Sequence, residues 1–290
     1  MSKAKRKKEK GRERPVRRDA QGRAHLVIQH DENGTPLGVA LEGTLFHEQW
    51  ENELALATAA TTYQILNEAY TPERAAAVGR NAMAGTSTMA DGVFAQSPDR
   101  PPACRAGCAH CCHQTVAVTA PEVFAIHAHL RATRTPDELD AFAGRIRAVD
   151  DRTRGMATLD RVSPDFPCPF LVDERCSIYE ARPLACRGTN SLDASACERS
   201  LHDPATRAAV LAGTVSVPCY LAPMRAFHAV TAGLQLAIDQ LLGLEATPLE
   251  LTAAMRIMID DPETVPQQWL SGKDPFAAAA TTGSARRSAG

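Results

Sequence analysis

The order of apolar and polar positions divides the chain into a strand-like start, a run of helices, an aperiodic centre and a helical close. Residues 24–42 read AHLVIQHDENGTPLGVALE, two short apolar runs flanking Asp31-Glu32-Asn33-Gly34. This pattern predicts a β-hairpin in which Gly34 supplies a positive φ. From Thr44 the period changes. Phe46, Trp50, Leu54, Ala57, Thr61 and Ile65 recur at helical spacing and predict one face of a long helix ending near Tyr70. Thr71-Pro72-Glu73 starts a second helix, weakly amphipathic, running to about Ala95.

After a cysteine cluster, Thr115-Val116-Ala117-Val118 predicts a short strand. Thr119-Ala120-Pro121-Glu122 opens a helix with Val123, Ile126 and Leu130 on one face. Thr135-Pro136-Asp137-Glu138 opens the next, in which Leu139, Phe142, Ile146, Val149, Thr153 and Met156 keep the strongest period in the chain. Residues 163–203 show no helical period except near Ala181–Arg187, and they are rich in Cys, Pro, Asp and Ser. Such a segment needs something other than an apolar face to order it, and a metal would serve. In the C-terminal third, Tyr220, Met224, Phe227, Thr231, Leu234, Ile238 and Leu241 form another stripe. A further helix follows Thr247-Pro248 and a short one follows Asp261-Pro262. The expected architecture is mainly α: helical bundle-like halves around an irregular cysteine-rich metal-binding centre, with a small N-terminal β-hairpin. The expected organisation is a disordered basic tail over 1–23 and a single mainly helical domain over 24–272. That domain contains the cysteine region 101–200, and a disordered tail covers 273–290.

Composition adds limits. Apolar content of 44% and charged content of 23% are those of a globular chain, and a net charge of −2 gives no global attraction to nucleic acid. The charge is uneven, with eleven Lys or Arg against three acids in Met1–Arg23. That segment reads as a solubilising tail, with a weak phosphate contact to nucleic acid as its sharper alternative. It lacks the apolar run of a secretory leader, and no apolar stretch is long enough to cross a bilayer, so the expected location is the cytoplasm. A protein partner cannot be named from this composition.

In a reducing compartment clustered cysteines point to metal or redox chemistry rather than disulfides, and nine is an odd number for a disulfide framework. Cys104, Cys108, Cys111 and Cys112 lie within nine positions, with His110 and His113 among them. Adjacent Cys111 and Cys112 point in different directions along a helix, so a cluster or two neighbouring sites suits them better than one ion. Only one C-x-x-C occurs, Cys108 to Cys111, which disfavours an ordinary zinc finger. Cys168-Pro169 matches the Cys-Pro that ends a bacterial ferredoxin run. Arg105, Arg175, Arg182 and Arg187 lie within four residues of a cysteine and could offset thiolate charge.

Cys104-x-x-Gly107-Cys108-x-x-Cys111-Cys112, followed by CPFLVDERCSIYEARPLACR (Cys168–Arg187), resembles the YkgJ-type cysteine-cluster family, a widespread bacterial domain described as zinc- or iron-chelating. The resemblance covers about 85 residues, Cys104 to Arg187. It implies Cys104, Cys108, Cys111, Cys112, Cys168, Cys176 and Cys186 as metal ligands, with an iron–sulfur cluster or zinc as cofactor. Arg182 and Arg187 of the second block are expected beside the cofactor. Cys197 and Cys219 fall outside the motif blocks and are expected as buried apolar thiols. His110 and His113 lie outside the pattern too, and His127 and His129 read as ordinary helix positions. Gly107 is expected to allow a tight backbone approach, and Phe170, Leu171, Ile178 and Tyr179 to roof the site. The implied function is metal binding. Its alternatives are a metal-dependent oxidoreductase or modification enzyme, and an interaction protein with a structural zinc.

Overall fold

The computed structural model describes residues 24–157 and 160–281; the expectations for the basic segment 1–23 and for residues 282–290 lie outside the described residues. The expected hairpin is present. Strand β1 (His25–His30) pairs antiparallel with β2 (Pro36–Glu42). Asp31 closes the turn, its carboxylate accepting the Asn33 and Thr35 N–H groups at 2.8 Å each, and Gly34 sits at φ 84°.

Helices α1 (Gln49–Glu68) and α2 (Pro72–Ala95) follow, the second started by Pro72 behind the Thr71 cap. The cysteine loop leads to β3 (Ala117–Val118), α3 (Ala120–Thr133) and α4 (Pro136–Thr153). Both of those helices start in capping boxes, Thr119 with Glu122 and Thr135 with Glu138. The central helix α3 is buried on nearly all sides of its first two turns, from Ala120 to Ile126. A small hairpin, β4 (Leu171–Val172) with β5 (Arg175–Cys176), precedes three short helices. These are α5 (Leu184–Gly188), α6 (Ala194–His202) and α7 (Pro204–Leu211). Helix α8 (Leu221–Leu236) ends in a π turn, Ala237–Leu241. Strand β6 (Leu249–Glu250) pairs with β3, and α9 (Leu251–Asp260) and α10 (Thr264–Leu270) complete the series. Helix α1 packs along α8, α2 along α3, and α9 bridges α3 and α4.

Two stripes differ from the sequence expectation, for one reason. Helix α1 buries Glu51, Ala55, Ala59, Thr62 and Leu66, one position on from the large residues that marked its predicted face. Helix α8 buries Leu234 of the expected stripe, with Ile238 just beyond the helix, but otherwise Pro223, Ala226, Ala229, Val230 and Gly233. Small residues let these two backbones approach closely, and the large side chains flank the seam. A Cβ on Gly233 would stand 2.1 Å from the Ala55 carbonyl oxygen. Gly233→Ala is therefore expected to force the helices apart at a cost of about 1–3 kcal/mol. Urea unfolding checks this, and an unchanged midpoint would show that the seam is looser than described.

Helix α6 was not legible as a period because it buries one residue, Leu201. Its start is local: the Asp193 carboxylate accepts from the Ser195 and Ala196 N–H groups. The expected disordered tail from 273 is also corrected. Phe276 and Ala279 are 1% exposed, Phe276 lies 5.9 Å from the Phe124 ring, and Thr281 donates its N–H to the Pro248 carbonyl oxygen. The packed structure runs through 281.

His127 on α3 gives the fold a pH dependence. Burial, and then Arg131, push its pKa down to about 4. Above its ordinary range, near 6.5, His127 is neutral folded and unfolded and contributes nothing to the slope. As pH falls from about 6.5 to 4 only the unfolded chain takes up the proton, so stability drops by roughly 3 kcal/mol and then levels. His127→Leu should flatten that part of the stability-versus-pH curve relative to the parent protein. Parallel curves would remove His127 from this role.

Candidate metal centre

The first cysteine block is a loop closed by its own backbone. The Cys108 N–H donates to the Arg105 carbonyl oxygen and the Cys112 N–H to that of Ala109, each at 2.9 Å. Gly107, inside the first of these turns, sits at φ 86°, with open space where a Cβ would stand. Its requirement is therefore the left-handed backbone and not the close approach expected. Cys111 and Cys112 share a 3₁₀ turn, His110–His113, and their thiols are hydrogen-bonded to each other. That bond holds Cys111 below the ordinary thiol range and Cys112 above it, as expected of two sulfurs sharing one proton.

The second block docks directly on the first. The Cys168 N–H donates to the Cys112 carbonyl oxygen at 2.7 Å. Two of the motif elements then acquire a physical reading. The Cys168 sulfur accepts the Phe170 N–H, and the Cys176 sulfur accepts the Ile178 N–H, two residues on in each case. Such N–H···S bonds stabilise thiolate character, which a metal ligand needs. Between the two cysteines, Asp173 and Glu174 form the β4–β5 turn with φ 48° and 57°. The third cysteine of this block, Cys186, rides on α5. The Leu184 N–H at the start of α5 donates to Glu122 Oε1 at 2.8 Å, tying α5 to the cap of α3. Phe170, Ile178 and Leu184 are 1% exposed beneath the block. Tyr179 is 58% exposed, so the expected roof is an apolar floor.

Cys197 and Cys219, expected as separate apolar thiols, are brought to the same region through Ser191. Ser191 is buried, and its N–H donates to the Cys104 sulfur at 3.3 Å. Its carbonyl oxygen accepts the Ala103 N–H at 2.8 Å, and its hydroxyl donates to the Asp193 and Pro218 carbonyl oxygens, at 3.0 and 3.1 Å, close beside the Cys197 sulfur. Cys219 lies opposite Ser191 in an antiparallel bridge. The nine cysteines are all free thiols and half-buried.

The charges around them differ from the expected set. Arg105 and Arg175 are exposed. Arg182 acts on Cys104, Cys111, Cys176 and Cys186, drawing each toward ionisation. Its guanidinium stacks 4.4 Å from the Tyr179 ring centre, and its buried Nε has no hydrogen-bond partner. Arg187 is buried and donates to the Arg182 and Glu180 carbonyl oxygens and to the Ser87 hydroxyl. Its main effect is to hold the chain that presents Arg182. Buried Arg161 acts on Cys168 and was missed, since it lies seven residues away in an aperiodic stretch. His113 Nδ1 is buried without a partner, a spare donor atom beside Cys112. His110 packs its ring edge on His202.

Burial raises most of these thiols: Cys168 to about 12, Cys186 well above its ordinary range, and Cys104 and Cys176 in the same direction. They are neutral near pH 7, and a bound cation would take their thiolate forms and release protons. Among the described residues no three His, Cys, Asp or Glu side chains close around one point as an ion requires. The donor chemistry fits a thiophilic metal: free thiols, N–H donors on three sulfurs, and a cation at Arg182 in no carboxylate ion pair among the described residues. The thiols would have to draw together around it. A cavity of about 480 Å³ opens beside Arg182 and Arg187, its polar lining completed by Arg80, Ser87, His129 and Tyr179 and by the acids Asp91 and Glu180.

No described helix is long and apolar enough to cross a membrane. No curated protein and no solved structure matches the chain. Residues 103–203, about a third of the chain, match a family model named CxxCxxCC and described as "Putative zinc- or iron-chelating domain". That span contains both cysteine blocks and Cys197. The chain thus carries, at residues 103–203, the domain of the cysteine-cluster family that its two blocks resemble.

Proposed function

We propose that this protein binds metal through Cys104, Cys108, Cys111, Cys112, Cys168, Cys176 and Cys186, and that the metal is iron in an iron–sulfur cluster in preference to zinc. The observation that carries the reading is the 2.7 Å bond from the Cys168 N–H to the Cys112 carbonyl oxygen, which joins two motif blocks distant in sequence. The preference for iron rests on three features. Cys111 and Cys112 are adjacent on one turn. Two thiols on one turn, sharing a proton, offer a pair of adjacent ligands that a multi-iron cluster can divide between its metals. N–H···S bonds at Cys104, Cys168 and Cys176, and the Arg182 cation, suit a cluster that carries net negative charge.

Protein purified without oxygen from iron-replete cells should then contain iron and acid-labile sulfide, with visible absorption bleached by dithionite. A colourless protein with stoichiometric zinc and no sulfide would overturn the choice of iron. The 480 Å³ cavity favours a second reading, an enzyme whose small polar substrate, with an anionic group, meets Arg80 and Arg182 between the acids Asp91 and Glu180. Its signature would be a cluster spectrum perturbed by such an anion in the parent protein and unperturbed in Arg80→Ala. The expected setting is a reducing cytoplasm, where thiols stay free.

A further inference from the structure

The matched domain ends at residue 203, yet a ninth thiol reaches the same place from outside it. Three chain segments lie side by side with Ser191 at their centre. On one side the Ala103 N–H donates to the Ser191 carbonyl oxygen at 2.8 Å, and the Ser191 N–H donates to the Cys104 sulfur at 3.3 Å. On the other side segment 190–192 pairs with segment 218–220. The Leu192 N–H donates to the Pro218 carbonyl oxygen at 2.8 Å and the Tyr220 N–H to that of Asn190 at 2.9 Å. The Tyr220 hydroxyl, bonded to the Arg100 carbonyl oxygen, and the Tyr220 ring, 5.2 Å from that of Phe94, hold the outer segment in place.

Directly opposed residues of an antiparallel pair present their side chains on the same face. The thiol of Cys219 therefore shares a face with the Ser191 hydroxyl, which lies close beside the Cys197 sulfur. Cys197 is carried by α6, which packs on the 3₁₀ turn of Cys111 and Cys112, with His110 against His202 at 6.3 Å between ring centres. The electrostatics agree with this placement. The thiolate charges acting on Cys197 are those of Cys104, Cys108 and Cys111, and those acting on Cys219 are Cys197, Cys104 and Cys111. Cys112, Cys168, Cys176 and Cys186 act chiefly on one another, again with Cys111 among them.

We infer that Cys219 joins Cys104, Cys108 and Cys197 in a second four-thiol site for a thiophilic cation, beside the Cys112, Cys168, Cys176 and Cys186 set, with Cys111 between the two. The inference rests on the reading of the cysteine blocks as a metal centre, and it adds a ligand that lies beyond the matched domain. Four thiolates complete the shell of one divalent ion such as zinc, so the count of thiols, eight plus a shared ninth, accommodates two centres. Ser191 is the residue that positions the second set: its N–H meets the Cys104 sulfur, its backbone pairs opposite Cys219, and its hydroxyl holds Asp193 at the start of the helix that carries Cys197.

The test uses the full-length reduced protein and zinc(II) as the probe, followed by alkylation with N-ethylmaleimide and peptide mapping. The expected result is two zinc ions per chain, with Cys197 and Cys219 shielded from alkylation at least tenfold by zinc and released by chelator. In Cys219→Ser the ratio should fall to one while Cys168 and Cys186 remain shielded. Shielding of Cys168 and Cys186 with Cys219 alkylated equally fast with and without zinc would overturn the second site and leave the first intact. Retention of no zinc and shielding of no thiol would overturn the second site, while iron and sulfide analysis of the anaerobically purified protein decides the first. The alkylation arm is read in the parent protein, so a variant that fails to fold does not decide it.

Discussion

Replacing Cys186 by Ser is expected to remove most of the bound metal and to expose residues 163–203 to protease. Cys186 sits at the inner end of the site, on a five-residue helix that has no length to stabilise itself. The apolar core residues that segment 163–203 supplies are few for its length: Phe170, Ile178, Ala181, Leu184 and Leu201. A ligand that binds only the folded form adds stability through mass action, about 4 kcal/mol when it is present at a thousand times its Kd. The variant should lose that increment. The parent protein should melt at lower temperature after chelation, and Cys186→Ser should melt at the lower temperature with or without chelator. Parent-like metal content in the variant would remove Cys186 from the centre.

Glu122→Ala should be comparably damaging, although Glu122 is a carboxylate and lies on a helix 64 positions from Cys186. It is 1% exposed, and it accepts the Thr119 N–H and the Leu184 N–H at 2.8 Å each and the Thr119 hydroxyl at 2.9 Å. Removing it leaves three buried donors without a partner and a cavity between α3 and α5. Together these cost about 3–5 kcal/mol. It also releases the start of α5, so metal affinity should fall with stability. Glu122→Gln keeps an acceptor and the volume, and should cost about 1–2 kcal/mol while retaining metal. Burial raises the Glu122 pKa, so its folded form favours the neutral acid. Its contribution is full below the ordinary carboxylate range and declines as pH rises through the raised value. Urea unfolding and metal analysis of the two variants check this. An Ala variant with the parent midpoint and metal content would show that the α3–α5 tie does not position the site.

How far the sequence could be read depended on how local each signal was. Turn and cap chemistry was legible: Asp31 to Gly34 in the hairpin, Thr71-Pro72, and the Thr119 and Thr135 boxes all lie where the residues place them. The large apolar residues mark the α1 face one position off and the α8 face only in part, where Leu234 and Ile238 are buried. The seam uses Ala55, Ala59, Ala229 and Gly233, whose value lies in how closely they let backbones approach. The docking of the two motif blocks was legible as a resemblance, and the bond between Cys112 and Cys168 gives it a physical form. Cys197 and Cys219 were not legible as part of the site. Their link to it is Ser191, a residue with no motif of its own, acting through backbone pairing that spacing does not encode. Arg161 was hidden for the same reason, whereas Arg105 and Arg175 stood close in sequence and point to solvent.

The central claim is that two cysteine blocks, joined at Cys112 and Cys168, provide sulfur ligands to one metal centre. X-ray absorption at the metal edge of the anaerobically purified full-length protein measures the coordination shell itself. The account predicts a shell of sulfur alone, about four per metal, at about 2.3 Å if the metal is zinc. With iron it predicts an additional iron–iron shell from the cluster. A shell dominated by nitrogen or oxygen at about 2.0–2.2 Å would contradict it.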